Sequence, residues 1–182
     1  LEDQEVKEVE LGLDLTQYIR NIPDFPQPGV QFKDITTLLK EGAAFREAIE
    51  RLGGIFENKG IDLVVGIEAR GFIVGAPLAY YLGCGFVPVR KAGKLPAPTL
   101  SKTYALEYGS ATLEIHRDAI EKGQKVAIVD DLLATGGTTE AVCEMVEELG
   151  GKIVGIGFII ELESFKGREK LSSYPVYSLI RL

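Results

Sequence analysis

The chain has 182 residues, of which 46% are apolar and 26% charged, and a formal net charge of −7. That length suits one domain with a sizeable core, and the composition is that of an ordinary soluble globular protein. The acidic balance argues against a broad nucleic-acid or membrane surface and leaves room only for a local basic patch. Cys84 and Cys143 form no C-x-x-C pair and are too few for a disulfide framework. The start, Leu1-Glu2-Asp3-Gln4-Glu5, is acidic where a secretory leader would be basic and then apolar. No apolar run approaches membrane-spanning length. A cytoplasmic protein is expected.

Residues 1–21 read as an N-terminal arm. Its first 13 positions are rich in charge, and Asp14 can cap a short helix running to Ile19 or Arg20, with Pro23 as the stop. Ile22-Pro23-Asp24-Phe25-Pro26-Gln27-Pro28-Gly29 carries three prolines in six positions, which predicts an extended, stiff loop rather than regular structure. Over 43–56, Phe45, Ile49, Leu52 and Phe56 fall on one helical face. A strand is expected over 61–67, a buried helix over 72–82 and a further strand over 86–89. Residues 92–108 are rich in Gly, Pro, Lys and Thr and have no clear period, so this segment reads as a long functional loop, a lid. Alternation on either side of Gly109-Ser110 suggests a hairpin within or beside it. Further on, a helix is expected over 140–149, a strand over 152–161, a short helix over 166–171 and a last strand over 176–180. Strands alternating with helices imply an α/β fold, a mostly parallel sheet flanked by helices, with nothing that divides the chain into separate domains.

The most informative stretch is Val126-Ala127-Ile128-Val129-Asp130-Asp131-Leu132-Leu133-Ala134-Thr135-Gly136-Gly137-Thr138-Thr139. An apolar run over 126–129 reads as a buried parallel strand. Two carboxylates follow at its carboxyl end, where open α/β sheets bind ligands. Then come small residues whose amides can close on an anion, followed by a helix N-terminus of the same preference. Carboxylates repel phosphate, so Asp130 and Asp131 suit sugar hydroxyls or a metal carried by the substrate. The amides over 134–138 and the hydroxyls of Thr135, Thr138 and Thr139 suit the phosphate. A ribose 5-phosphate satisfies both halves, whereas a plain Asp-capped turn needs neither the paired acids nor the threonines. No G-x-x-x-x-G-K-[ST] occurs and no G-x-G-x-x-G opens a helix, which disfavours Walker-type and dinucleotide sites.

Gly66-Ile67-Glu68-Ala69-Arg70-Gly71 likewise ends a strand before a helix, and Arg70 offers a fork suited to phosphate oxygens. Taken alone it reads equally well as a surface arginine; beside the first loop it becomes a second anion subsite, as a diphosphate requires. Arg90-Lys91-Ala92-Gly93-Lys94 brings three cations into the entry of the lid. Glu107, in Tyr104-Ala105-Leu106-Glu107-Tyr108, is by itself an unremarkable strand acid, and His116 lacks ligand partners at zinc spacing.

These segments, together with Phe32-Lys33-Asp34-Ile35-Thr36, Arg90-Lys91-Ala92-Gly93-Lys94-Leu95-Pro96 and Lys166-Gly167-Arg168-Glu169-Lys170-Leu171, resemble the adenine phosphoribosyltransferases within the type I phosphoribosyltransferases. The likeness runs from about Ile22 to the C-terminus. The acidic pair and its phosphate loop mark the broader family; the Pro-Asp-Phe-Pro loop and the Leu-Glu-Tyr of the lid mark the adenine branch. The resemblance implies transfer of a phosphoribosyl group from 5-phosphoribosyl 1-diphosphate (PRPP) to adenine, with magnesium, in a single domain. In that domain, 22–36 is a base-binding hood segment and 92–109 a lid. It implies that Ala134, Thr135, Gly136, Gly137 and Thr138 hold the 5-phosphate and that Asp130 and Asp131 engage the ribose, with magnesium entering on the substrate near Asp130. Glu68, Ala69 and Arg70 would form a diphosphate loop, often with a non-proline cis peptide in this family. Lys91 and Lys94 would add charge there, and Arg90 would join them or reach across a homodimer interface. Phe32 would stack on the purine while backbone groups of Gln31 and Lys33 read its edge. Glu107 would be the lid acid near the base, taking a proton directly or polarising another ring nitrogen; both routes stay open. Two other readings compete. One is a sister transferase for an oxopurine such as xanthine, and the other a nucleic-acid-binding regulator that senses the sugar phosphate. The acidic charge and the absence of an appended DNA-binding module weigh against the second.

Overall fold

In the computed structural model, residues 12–105 and 109–182 are described. The chain forms two compact units, residues 1–47 and 48–182. The first unit opens with a short 3-10 turn, Leu15–Tyr18, where Asp14 accepts the Thr16 N–H at 3.1 Å, so the Asp14 cap is present but the helix it starts is a single tight turn. Strands β1 (Arg20–Pro23) and β2 (Gln31–Asp34) then pair antiparallel, with Ile22 opposite Phe32 and Pro23 opposite Gln31. This corrects the expectation of an irregular 22–29: Ile22 and Pro23 belong to a two-stranded ribbon, and only the rest is turn. A proline is admissible there because it ends an edge strand. Asp24 closes the turn by accepting the Gly29 N–H at 2.7 Å. A five-residue helix α1 (Thr36–Lys40), which the sequence pattern did not reveal, follows. Arg20 donates twice to Asp34, at 2.6 and 3.0 Å, tying the ribbon's end to this helix start. Asp34 also accepts the Thr36 N–H at 2.9 Å, and that bond leads the causes holding its carboxyl below the usual range.

Helix α2 (Gly42–Phe56) carries the chain from the first unit into the second. The second unit is built on β3 (Leu63–Ile67), α3 (Arg70–Leu82), β4 (Gly85–Lys91), β5 (Thr99–Ala105), β6 (Ser110–His116), β7 (Lys125–Leu133), α4 (Gly137–Glu148), β8 (Lys152–Glu161), α5 (Gly167–Lys170) and β9 (Val176–Arg181). Its seven-stranded sheet has the order β5-β6-β4-β3-β7-β8-β9. Strands β4, β3, β7, β8 and β9 run parallel, and β5 and β6 add an antiparallel hairpin at one edge. The fold is therefore α/β with a mostly parallel sheet, as the alternation of patterns implied. The segment read as a long loop over 92–108 contains a strand: half of its described residues, Thr99–Ala105, form β5, which pairs with β6 from Thr99–His116 to Ala105–Ser110. Its strand character is hidden because Ser101, Lys102 and Thr103 are polar in succession, which breaks the alternation.

Side-chain alternation fixes which helix covers which face. Val65, Ile67, Val87, Val89, Val126, Ile128, Ile156 and Phe158 point to one side and pack with Val142, Cys143, Met145 and Val146 of α4. On the other side, Phe72 of α3 meets Phe86 edge-on at 5.8 Å, and Phe56 at the end of α2 lies against Gly155 and Gly157 of β8. Both cysteines are free. Among the described residues no helix is long and apolar enough to cross a membrane.

Candidate active site

The carboxyl ends of β3 and β7, adjacent in the sheet, carry the two predicted anion loops side by side. Beyond β3, the Glu68–Ala69 peptide bond is cis, and α3 starts at once with Arg70. Glu68 is held from the neighbouring strand: Arg90 donates through Nε and Nη2 to its two carboxylate oxygens at 3.2 Å, and the Lys91 N–H adds a bond at 3.0 Å. The Arg90 fork is the first cause of a Glu68 carboxyl lowered below its ordinary range. Arg90 thus braces the loop, and its remaining Nη1 donates to the Lys94 carbonyl at 3.2 Å. Lys91 is exposed and lines the cavity beside the loop; Lys94 stands outside that lining.

That cavity, about 280 Å³, is lined by Glu68, Ala69, Arg70, Lys91, Asp130 and Asp131. The acids lie within β7 itself, which continues to Leu133, so they project from paired backbone rather than from a loose turn. Asp131 is buried and accepts from Arg70 Nε at 2.5 Å, while Asp130 Oδ1 accepts the Asp131 N–H at 2.9 Å. Burial, and then the neighbouring Asp131 carboxylate, hold the Asp130 carboxyl well above the usual carboxylate range. A cation or hydroxyl donors placed beside such a carboxyl would favour its ionised form. Helix α3 can approach the pair because residue 71 is glycine: a Cβ there would lie 3.0 Å from Asp130 Oδ1.

The second cavity, about 110 Å³, shares Asp130 with the first and is lined by Ala134, Thr135, Gly136, Thr138 and Thr139 among others. Gly136 turns the chain at φ +81° into α4, whose first amides have no partners within the helix. The loop rests on α5: a Cβ on Gly136 would sit 2.7 Å from the Gly167 carbonyl oxygen, and a Cβ on Gly167 would overlap the carbonyl of Ala134. On the hairpin side, Thr138 Oγ1 donates to Tyr104 Oη at 3.1 Å. The cavity chemistry is therefore backbone amides, hydroxyls and a helix dipole, a combination suited to a phosphate dianion.

Gln31, Phe32 and Lys33 lie on β2 in the first unit. Phe25 meets Phe32 edge-on at 5.2 Å, Gln31 accepts from Asn21 Nδ2 at 2.8 Å and Lys33 donates to Asn21 Oδ1 at 3.1 Å. The Phe25 ring remains half exposed. Glu107 falls outside the described residues. His116, on β6, accepts the Ala97 N–H at 3.4 Å and takes no part in either cavity.

Residues 34–180 match the phosphoribosyl transferase domain. Over 170 residues the chain is 58% identical to an adenine phosphoribosyltransferase of Desulfitobacterium hafniense, covering 93% of this chain and 98% of that one. The chain belongs to the adenine phosphoribosyltransferase family. The crystal structure of the Thermoanaerobacter pseudethanolicus adenine phosphoribosyltransferase superimposes with a TM-score of 0.90 at 56% identity, covering 92% of this chain and 98% of that one. The Saccharomyces cerevisiae adenine phosphoribosyltransferase, complexed with D-2,5-dideoxy-2,5-imino-altritol 1,6-bisphosphate and adenine, does so with a TM-score of 0.86 at 43% identity, covering 91% and 96%.

Three supports of the site carry no motif that assigns them a role from sequence. Tyr104 reaches Thr138 only because β5 crosses the sheet edge beside α4. Gly167 acts through proximity to a loop more than 30 positions away. Arg168 sends Nε and Nη2 to Glu161 at 2.9 and 2.5 Å and Nη1 to the Val176 carbonyl at 2.6 Å, which fixes α5 beneath that loop.

Proposed function

We propose that this chain transfers the 5-phosphoribosyl group of PRPP to adenine, giving AMP and diphosphate in purine salvage, as a pentosyltransferase of the cytoplasm. One observation carries the assignment of roles: an acid pair on β7, Asp131 buried and Asp130 half-buried, flanked by two anion-suited loops, with both cavities meeting at Asp130. Loop 134–138 takes the 5-phosphate, and Asp130 and Asp131 take the ribose hydroxyls. Loop 68–70 with Lys91, and Lys94 beyond it, takes the diphosphate; Arg90 serves by fixing Glu68. Gln31, Phe32 and Lys33 take adenine, Phe32 by stacking and the other two by backbone groups. Oxopurines present an acceptor where adenine presents an amine, and such a mismatch leaves buried polar groups unpaired. The yeast relative's complex with adenine and a bisphosphate supports adenine and a phosphorylated sugar as the ligand classes.

The chemistry suits the layout. Loss of diphosphate builds positive character on the ribose carbon and negative charge on the leaving group. Acids close to the sugar favour the first, and Arg70 and Lys91 favour the second. Glu107 receives or steers the proton that adenine sheds, a role worth about 10²–10⁴-fold in rate. Magnesium fits the donors present. Among the described residues no three His, Cys, Asp or Glu side chains gather to cage a metal, whereas this ion is commonly held by one or two carboxylates together with substrate phosphates. Asp130 and Asp131 would hold it, and when bound it would neutralise the departing diphosphate. A homodimer is supported by the outer face of α3, where Ile73, Ala76 and Tyr80 are exposed at helical spacing. The decisive experiment incubates the protein with adenine, PRPP and magnesium and measures AMP. Equal rates with hypoxanthine or guanine would overturn the adenine assignment.

A further inference from the structure

Strand β5 is fastened to α4 by two side chains on the same strand face. Lys102 pairs with Glu144 at the surface, where an ion pair contributes little. Tyr104 is different. Its ring packs against the core of the second unit, and its hydroxyl accepts the 3.1 Å hydrogen bond from Thr138, a residue that lines the cavity of loop 134–138.

Each of these hydroxyls has one hydrogen and two lone pairs. While Thr138 donates to Tyr104, its only hydrogen is directed away from the cavity. An anion in the cavity calls for donors. Reversing the bond satisfies every group without moving a heavy atom: Tyr104 donates to Thr138 Oγ1, and the Thr138 hydrogen turns to a phosphate oxygen. A chain of two hydroxyls ending on an anion is also mutually polarising. The tyrosine additionally selects among threonine rotamers that would otherwise compete.

We propose that Tyr104 is a positioning residue for the phosphate site, orienting the Thr138 hydroxyl and relaying a hydrogen bond through it to the bound phosphate. The proposal rests on loop 134–138 being the 5-phosphate site. Tyr104→Phe keeps the ring and removes the relay. Steady-state kinetics should show KM for PRPP raised about 3- to 10-fold, the span of one net hydrogen bond, with kcat and KM for adenine within about twofold, the pattern of lost uniform binding. Calorimetry with ribose 5-phosphate should show the same loss of affinity. In a Thr138→Val background the Tyr104→Phe change should add nothing. Unchanged KM for PRPP in Tyr104→Phe, or an equal further loss in the Thr138→Val background, would overturn the relay. If Thr138→Val itself left ribose 5-phosphate binding at the wild-type level, the Thr138 hydroxyl would not meet the phosphate and the relay would fall; if the wild-type protein bound no ribose 5-phosphate, the reading of the loop would fail first. A loss confined to thermal stability would reduce Tyr104 to a packing residue and refute its positioning role.

Discussion

Replacing Gly167 by alanine sets two physical effects against each other. Gly167 is the first residue of α5 and is not at positive φ, and alanine is favoured over glycine in helices by up to about 1 kcal/mol. Propensity alone therefore expects a more stable protein. Packing expects the opposite. The added Cβ would overlap the Ala134 carbonyl oxygen and lie 2.9 Å from Leu133 Cδ1 and 3.0 Å from the Ala134 carbonyl carbon. Leu133 can change rotamer, but the Ala134 backbone cannot move without moving the loop, and α5 is tied by Arg168 to Glu161 and to the Val176 carbonyl. Overpacking of this kind costs about 1–3 kcal/mol, so the net expectation is a loss of up to about 2 kcal/mol after a helix term of about 1 kcal/mol is subtracted. On the proposed reading of loop 134–138 as the 5-phosphate site, KM for PRPP should rise by about tenfold or more, while KM for adenine holds. Urea unfolding and initial-rate kinetics on one preparation measure both. Stability equal to or above wild type together with a wild-type KM would refute the packing argument.

Three further outcomes are expected. Glu107→Gln should lower kcat by about 10²–10⁴-fold with little change in PRPP binding; unchanged turnover in a chemistry-limited assay would remove Glu107 from the mechanism. The double change Asp130→Asn, Asp131→Asn should weaken PRPP binding and leave the circular dichroism spectrum intact, and wild-type affinity would show that neither acid meets the ribose. Glu161, held by Arg168 and by the Ser178 hydroxyl at 2.6 Å, has its carboxyl lowered chiefly by Arg168. An acid with a lowered folded-state pKa stabilises fully above its unfolded value of about 4.3 and loses that contribution as pH falls through the folded value. Glu161→Gln should therefore cost about 2 kcal/mol at about pH 6, and the gap to wild type should close as the pH drops below about 4. A gap that does not narrow at all as the pH falls from about 6 to below about 4 would refute the linkage.

The parallel strands and α2, α3 and α4 were legible because each is a buried or one-faced element whose apolar pattern has a single period. The hairpin β5–β6 was legible only at its turn: Lys102 and Thr103 break the apolar run, and β5 gains its strand character from pairing with β6, a non-local cause. The ribbon β1–β2 was hidden for the opposite reason, since Pro23 looks like a breaker until its position at the strand end is known. Within the site, Asp130, Asp131 and the small-residue loop announced themselves by chemistry at a strand end. The supports did not, because Tyr104, Gly167 and Arg168 act through contacts across 34, 33 and 7 positions respectively.

A site that must bind a polyanion and stabilise positive charge on a sugar faces an electrostatic conflict, and the second unit resolves it by spacing along the sheet. The acid pair sits on β7, between a loop of neutral amides on one side and Arg70 and Lys91 on the other. Asp131 is already compensated by Arg70, whereas burial and the Asp131 charge raise the carboxyl of Asp130. The Asp131 N–H is the hydrogen bond that Asp130 accepts, and a cation or hydroxyl donors beside it would favour its ionised form. On the proposed assignment of Asp130 and Asp131 to the ribose, the carboxyl that is costliest to ionise is the one that substrate binding would relieve.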